Sequence, residues 1–378
     1  MASSRQRPLP DLPLRRRDAL RLLLAAAPPA AALLAADSPA TLTALRARSP
    51  AAGEPPGQNP AGERPAVGQP AVDKDGPAAS STPATMAGWG SSTMAGMAAE
   101  LESLAADHGW AYVDGGAGGQ TAEQILARLG SRPARMASGQ VPARGPVVLS
   151  TGTMSSRSPA AFDAWGTLAG IPGHLTKDGG SHLGYTFLRT LPGDAREIPD
   201  GTLFIPATER PVRTGINHLN IGKNNLSGRH GGSKDPSRIV AWTGEAHDWL
   251  AESGARVLVW GHFPNTGTPR SSPVRKRILR VNAELRERYG HRYLDLHGLV
   301  TGDEVWELAG VRPTAEDRRE QKLGNKPPGL SKDRAHLSAA GRRAVRLVVE
   351  RRLADLGWFT AAHPPLRAAA LPQWPPLG

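Results

Sequence analysis

The sequence predicts an α/β protein: a three-layer α/β/α sandwich around a central parallel sheet, carrying a small β-rich insertion. Short apolar runs of strand length alternate with segments whose apolar residues recur every three or four positions. Such alternation buries a parallel sheet under helices on both faces, because each crossover between parallel strands needs a long connection. One stretch, residues 131–213, loses the helical period and holds strand-like runs bounded by Gly, Pro and Asp.

The elements follow in order. A first strand begins near Thr85 and leads into Gly88-Trp-Gly-Ser-Ser-Thr-Met-Ala-Gly96, after which Met97, Leu101, Leu104 and Ala105 recur at helical spacing. Ala111-Tyr-Val113 is a second strand, followed by a glycine-rich turn and a helix carrying Ile125 and Leu129. In the insertion, Val147-Val-Leu149, Tyr185-Thr-Phe187 and Thr202-Leu-Phe-Ile205 read as strands; the alternative is a long irregular loop, uncommon at this length. Gly215-Ile-Asn-His-Leu-Asn220 is strand-like again. Ile239, Trp242, Ala246, Trp249 and Leu250 mark an amphipathic helix that leads through Gly254 to the buried-type strand Val257-Leu-Val-Trp260. Val274, Ile278, Val281 and Leu285 mark another helix, and Tyr293-Leu-Asp-Leu296 another strand. The last helix carries Val345, Val348, Val349, Leu353 and Leu356 and closes at Gly357. The folded domain so defined spans residues 84–360. Right-handed crossovers put the loops after the strands on one sheet edge, where function is expected.

Outside that domain the composition changes. Of 378 residues 43 are Gly and 35 Pro, unevenly spread; residues 41–83 are rich in Pro, Ala and Gly and read as a disordered linker, and 361–378 as a tail. Arg15-Arg-Arg17, followed by the Leu/Ala stretch of residues 22–36, resembles a twin-arginine export signal over residues 1–40. The alternative is a basic, disordered extension. The apolar stretch is short and broken by Pro28-Pro29, so no transmembrane anchor is expected. The absence of cysteine excludes disulfides, a thiol nucleophile and thiolate metal sites. A net charge of +12 makes an anionic cell-envelope surface a candidate partner; with 5% aromatic residues and no basic run interleaved with rings, nucleic acid is not expected.

Four constellations carry chemistry. In Trp89-Gly-Ser-Ser-Thr93 a strand gives way to a helix, so a serine hydroxyl there faces the crevice; the alternative is that Ser91 or Ser92 only caps the helix. Asp114-Gly-Gly-Ala-Gly-Gly-Gln-Thr121 also joins a strand to a helix, and its glycines let backbone N–H groups approach a ligand oxygen. Ile221-Gly-Lys-Asn-Asn225 follows a strand and offers a side-chain amide, either to an oxyanion or to a turn. Asp333-Arg-Ala-His336 precedes the last helix, where the carboxylate can orient the imidazole, or where both residues simply sit at a helix start.

In this order the four blocks resemble the SGNH hydrolases, also called the GDSL family, over most of the chain from Thr85 to Trp358 outside the insertion. Gly90-Ser-Ser-Thr-Met-Ala-Gly96 matches the first block and implies Ser92 as nucleophile; the second implies Gly119 as a backbone oxyanion donor; Gly222-Lys-Asn-Asn225 matches the third, with Asn224 as the amide donor. The Asp-x-x-His block is intact as Asp333 and His336. Two departures are Ser91 and Asn225, where the family has Asp. The resemblance implies a flavodoxin-like sandwich and a serine esterase, with the Ser92 N–H completing the oxyanion hole, and no cofactor. Trp89 and Gln120, beside the first two blocks, and His262 and Asn265, in the loop after Val257-Leu-Val-Trp260, are candidates for substrate contact; a locally satisfied His262 is the alternative. His218 and His230 flank the third block without a metal-binding spacing. Together these imply an exported esterase, acting on acetyl or other short acyl groups of a carbohydrate or cell-envelope polymer. Lipid esters, and a non-catalytic polysaccharide-binding protein on the same scaffold, are the alternatives.

Overall fold

The computed structural model describes residues 84–155, 158–180 and 184–358; the expected export signal (1–40), linker (41–83) and tail (361–378) lie outside the described residues. Strand β1 (Thr85–Gly90) is followed by helices α1 (Ser92–Gly96) and α2 (Ala98–Asp107), strand β2 (Ala111–Gly116) and helix α3 (Ala122–Leu129). The insertion then contributes β3 (Ala134–Met136), β4 (Gly139–Val141), β5 (Pro146–Leu149), β6 (Phe162–Leu168), β7 (Ile171–Lys177), β8 (Tyr185–Arg189), β9 (Arg196–Ile198) and β10 (Thr202–Pro206). Helix α4 (Arg210–Thr214) returns the chain to β11 (Ile216–Asn220), α5 (Lys223–Ser227), α6 (Pro236–Ala251), β12 (Arg256–Trp260), α7 (Pro273–Tyr289) and β13 (Tyr293–Leu294). Four helices close the domain: α8 (Leu296–Thr301), α9 (Glu304–Ala309), α10 (Ala315–Leu323) and α11 (Ala339–Asp355).

The central sheet is parallel throughout, in the order β13-β12-β11-β1-β2. Because side chains alternate along a strand, each strand feeds two cores. Met86, Leu258 and Trp260 pack with Leu101, Leu104, Val300 and Val345, under α2, α8, α9 and α11. Ala87, Val257 and Val259 pack with Ile125, Ile239, Trp242 and Val281, under α3, α6 and α7. These are the expected three layers. The strand order reverses direction between β1 and β11, and a crevice opens outside the carboxyl ends of the strands at such a point.

In the insertion, six antiparallel strands run in the order β3-β10-β6-β7-β8-β5. The two ends of this sheet meet: Met136 at the end of β3 bridges Thr151 just after β5, so the sheet curls into a small barrel. Phe162, Leu168, Leu175, Tyr185, Phe187 and Phe204 fill it. The insertion is therefore β-rich, and β6 and β7, which the sequence did not single out, are its longest strands. Helices α8 to α10 and the shortness of β13, with α8 beginning at Leu296, also differ from the sequence expectation. Among the described residues no helix is long and apolar enough to cross a membrane.

Candidate functional site

The turn after β1 distinguishes its two serines. Ser91 is 2% exposed and, as the residue before α1, gives its carbonyl to the Ala95 N–H at 3.0 Å, but its side chain makes no capping bond. Ser92 is half-buried and opens α1. The capping explanation thus finds no hydrogen bond to support it, and the hydroxyl with access to solvent is that of Ser92.

The second and third blocks are joined to this turn. The Ala117 N–H donates to Gly90 O at 3.0 Å, which ties the loop after β2 to the end of β1. Gly119 has φ +77°, a conformation in which a side chain is strained. A Cβ there would also come within 3.4 Å of Ala160 Cβ and 3.6 Å of His230 Nδ1, so an insertion residue and a histidine flank this turn. The Asn224 amide donates to Gln120 O at 2.9 Å, leaving its second amide hydrogen for another acceptor. Asn225 is buried; its Oδ1 accepts the Ala122 N–H at 2.7 Å and its Nδ2 donates to Glu123 Oε2 at 2.8 Å, pinning α3 to α5.

The fourth block is a tight Asp–His pair. Asp333 Oδ2 and Oδ1 lie 2.7 and 2.9 Å from His336 Nδ1, and Oδ1 also accepts the backbone N–H groups of Ala335 and His336. The His336 hydrogen bond, reinforced by those two N–H groups, holds the Asp333 carboxyl far below the usual carboxylate range. Nδ1 must be the protonated nitrogen facing this carboxylate, so the neutral ring presents Nε2 as a proton acceptor. The loop is fastened by Lys326, whose Nζ donates to Asp333 O and His336 O at 2.9 Å each and to Ser331 Oγ. Burial lowers the Lys326 ammonium to about 8, against the opposing pull of Asp333. Lys223, next to Asn224, has its ammonium 3.8 Å from the centre of the Phe263 ring; burial and then the Lys326 charge lower it to about 7. The Thr266 N–H donates to Arg334 O at 3.0 Å, which ties the loop after β12 to the same block.

The four residues expected to contact substrate lie in different surroundings. His262 is 1% exposed: Nε2 donates to Ile221 O at 3.0 Å and Nδ1 accepts from Asn220 Nδ2 at 3.2 Å. Both nitrogens are occupied, so it braces the loops after β11 and β12 instead of lining a cleft. Burial and the neighbouring Lys223 lower its imidazole to about 4. Gln120 is 1% exposed, with its amide given to Ala161 O and its Oε1 accepting from Arg128 Nε, both at 2.8 Å. It joins the glycine turn to the insertion. Trp89 is 6% exposed and donates from Nε1 to Asn217 Oδ1 at 3.0 Å; it packs in the α3–α6 core and also lines a surface cleft. Asn265 is half-buried, and its Oδ1 is buried without a hydrogen-bond partner. His218 is buried, its Nδ1 accepting from Trp260 Nε1 at 3.2 Å. Lys223, Arg128 and Lys326 are not marked by chemistry in the sequence, and His230 is marked only as flanking the third block. Lys326 acts through backbone carbonyls, His230 meets the Gly119 turn from a distant part of the chain, and Arg128 reaches back to Gln120 and to Gly115 O; the place of Lys223 within the third block could have marked it.

No protein-family model matches the sequence, and no curated protein matches it. Among solved structures the chain is similar to a Bacteroides fragilis protein designated an acylhydrolase, at 11% identity and a TM-score of 0.42, covering 74% of this chain and 91% of that one. It is similar to a GDSL-like lipase from Bacteroides thetaiotaomicron at 10% identity and a TM-score of 0.41, covering 72% and 89%. It is similar to an acetyl xylan esterase at 11% identity and a TM-score of 0.35, covering 70% and 97%.

Proposed function

We infer that the chain is a serine ester hydrolase of the SGNH type, with Ser92 as nucleophile, His336 as general base and Asp333 orienting it. The observation that carries this reading is the Asp333–His336 pair, in a loop tied to the one after β12, together with a half-buried Ser92 in the turn after β1. In the reaction Ser92 Oγ adds to the ester carbonyl carbon while Nε2 of His336 takes its proton. Negative charge gathers on the carbonyl oxygen and is met by the N–H groups of Ser92 and Gly119 and by the second amide hydrogen of Asn224; each donor is worth about 10²-fold or more. The carbon–alkoxy bond then breaks, the imidazolium protonates the leaving alcohol, and the acyl group remains on Ser92. Water repeats the sequence, losing a proton to His336, and releases the acid.

The substrate in this reading is acetyl or another short acyl group on a carbohydrate or cell-envelope polymer. The short-acyl preference is taken from the family that the four blocks resemble. Export by the twin-arginine route, read from the basic and apolar residues before position 37, would bring the enzyme to such a polymer. Ser92→Ala is expected to lower hydrolysis of p-nitrophenyl acetate by at least about 10³-fold with an unchanged circular dichroism spectrum, and to abolish fluorophosphonate labelling. Retained hydrolysis in that variant would remove Ser92 from the reaction. Faster cleavage of the decanoate than of the acetate would point to lipid esters.

A further inference from the structure

The outer face of the insertion carries an aromatic group that the fold leaves in solvent. Trp165 on β6 is 57% exposed, while the small Ala164 beside it points into the barrel. The indole lies flat on the imidazole of His174, its register partner on β7, with ring centres 4.2 Å apart and planes within 4°. His174 Nε2 is in turn 2.8 Å from Asp163 Oδ1, two residues before Trp165 on the same outer face. Asp163 fixes the imidazole and the imidazole fixes the plane of the indole, so the platform is ordered before a ligand arrives.

The platform is one wall of a cleft of about 300 Å³ that also takes in Arg128, Thr208 and Glu209. A flat apolar wall facing hydrogen-bonding groups of both kinds suits a pyranose ring, whose C–H face stacks on the indole while its hydroxyls reach the carboxylates and the guanidinium. Charge selects among stacking ligands. Asp163 and Glu209 stand against the single cation Arg128 in the lining, a local reversal in a chain of net charge +12. That balance disfavours phosphodiester chains and uronates, which need a basic track. Arg128 also ties this cleft to the candidate site: its Nε donates to Gln120 Oε1 at 2.8 Å, and Gln120 O accepts from Asn224.

We propose that this cleft binds a neutral sugar ring of a glycan, stacked on Trp165. The inference deepens the hydrolase reading by seating the alcohol portion of the ester and rests on it to that extent; the sugar contact itself needs no ester. The test titrates the full chain with xylohexaose, cellohexaose and chitohexaose, followed by calorimetry and tryptophan fluorescence, with oligogalacturonate as the charged comparison. At least one neutral oligosaccharide binds, Trp165→Ala weakens it by at least about tenfold, and Trp165→Phe, which keeps a ring, stays within about threefold. Hydrolysis of p-nitrophenyl acetate is unchanged in both variants, and Ser92→Ala binds the sugar as the unaltered chain does. Absence of binding by all three, tighter binding of oligogalacturonate, or equal affinity in Trp165→Ala overturns the proposal. Sugar binding in a chain without p-nitrophenyl acetate hydrolysis supports it and sinks the hydrolase reading instead.

Discussion

Asn225 stands where the resembled family carries an aspartate, and its partners account for the amide. Its Nδ2 donates to Glu123 Oε2 at 2.8 Å while Oδ1 takes the Ala122 N–H. A carboxylate at 225 could still accept from Ala122 but would face the Glu123 carboxylate with no proton between them, and two buried like charges at that distance cannot both ionise cheaply. Gly232 seals the pair: at φ +74°, a Cβ would lie 2.5 Å from Asn225 Nδ2 and 2.8 Å from Glu123 Oε1. Asn225→Asp is therefore expected to lose about 2 kcal/mol in urea unfolding at pH 7, with Glu123→Gln restoring most of it in the double variant. Equal stability of the single variant and the unaltered chain would mean that Glu123 is not the reason for the amide.

The segment from Lys326 to His336 is held as an element by one side chain. Lys326 binds the carbonyls of Asp333 and His336 at once, so the loop is clamped at both ends of the Asp–His pair. Lys326→Met keeps the apolar stem and removes the clamp. With the pair intact but loosely placed, kcat/KM on p-nitrophenyl acetate should fall about 10- to 100-fold, mostly in kcat, while fluorophosphonate still labels the protein slowly. An unchanged kcat would reduce Lys326 to a structural role. The Asp-x-x-His spacing was legible because both residues sit in one turn, whereas Lys326 was not, because lysine before Pro327-Pro-Gly329 looks like solvated charge. The same contrast runs through the strands. Val257-Leu-Val-Trp260 declares itself by a continuous apolar run buried on both faces, as does β11 by its place before the asparagine block. In β6 the period is inverted: Phe162-Asp-Ala-Trp-Gly-Thr-Leu168 puts small Ala164 inside and large Trp165 outside, so hydrophobicity hides the strand. His262 misled for a related reason, since a histidine in a loop after a strand reads as accessible, and only the crossing of Asn220 and Ile221 shows both nitrogens taken.

At the scale of the whole domain, the β1–β11 reversal gathers loops from four parts of the chain, and buried polar groups between them tie acid stability to the site. His262 and His218 are buried, and burial lowers their imidazoles from the ordinary 6.5 to about 4 and about 3. Both are neutral in the folded protein at pH 5 to 6, where the unfolded chain takes up their protons. The unfolded state then binds more protons, so stability is fully present above pH 6.5 and falls as the pH drops toward 4 and 3. Each proton taken up only on unfolding costs about 1.4 kcal/mol per pH unit, so His262 alone withdraws about 3 kcal/mol by pH 4. Between pH 6 and 5 ordinary carboxylates stay ionised, so the slope of unfolding free energy in that window reports histidines. His262→Gln can still donate to Ile221 O and accept from Asn220, and is expected to lower that slope by about one proton while costing little at pH 7.5. The Asp333 carboxylate, depressed by His336, adds a loss in the same direction only at lower pH and leaves this window untouched. Urea midpoints at pH 7.5, 6.0 and 5.0 make the measurement; a flat profile, or a slope that His262→Gln does not change, would mean that the His262 imidazole is charged within the fold.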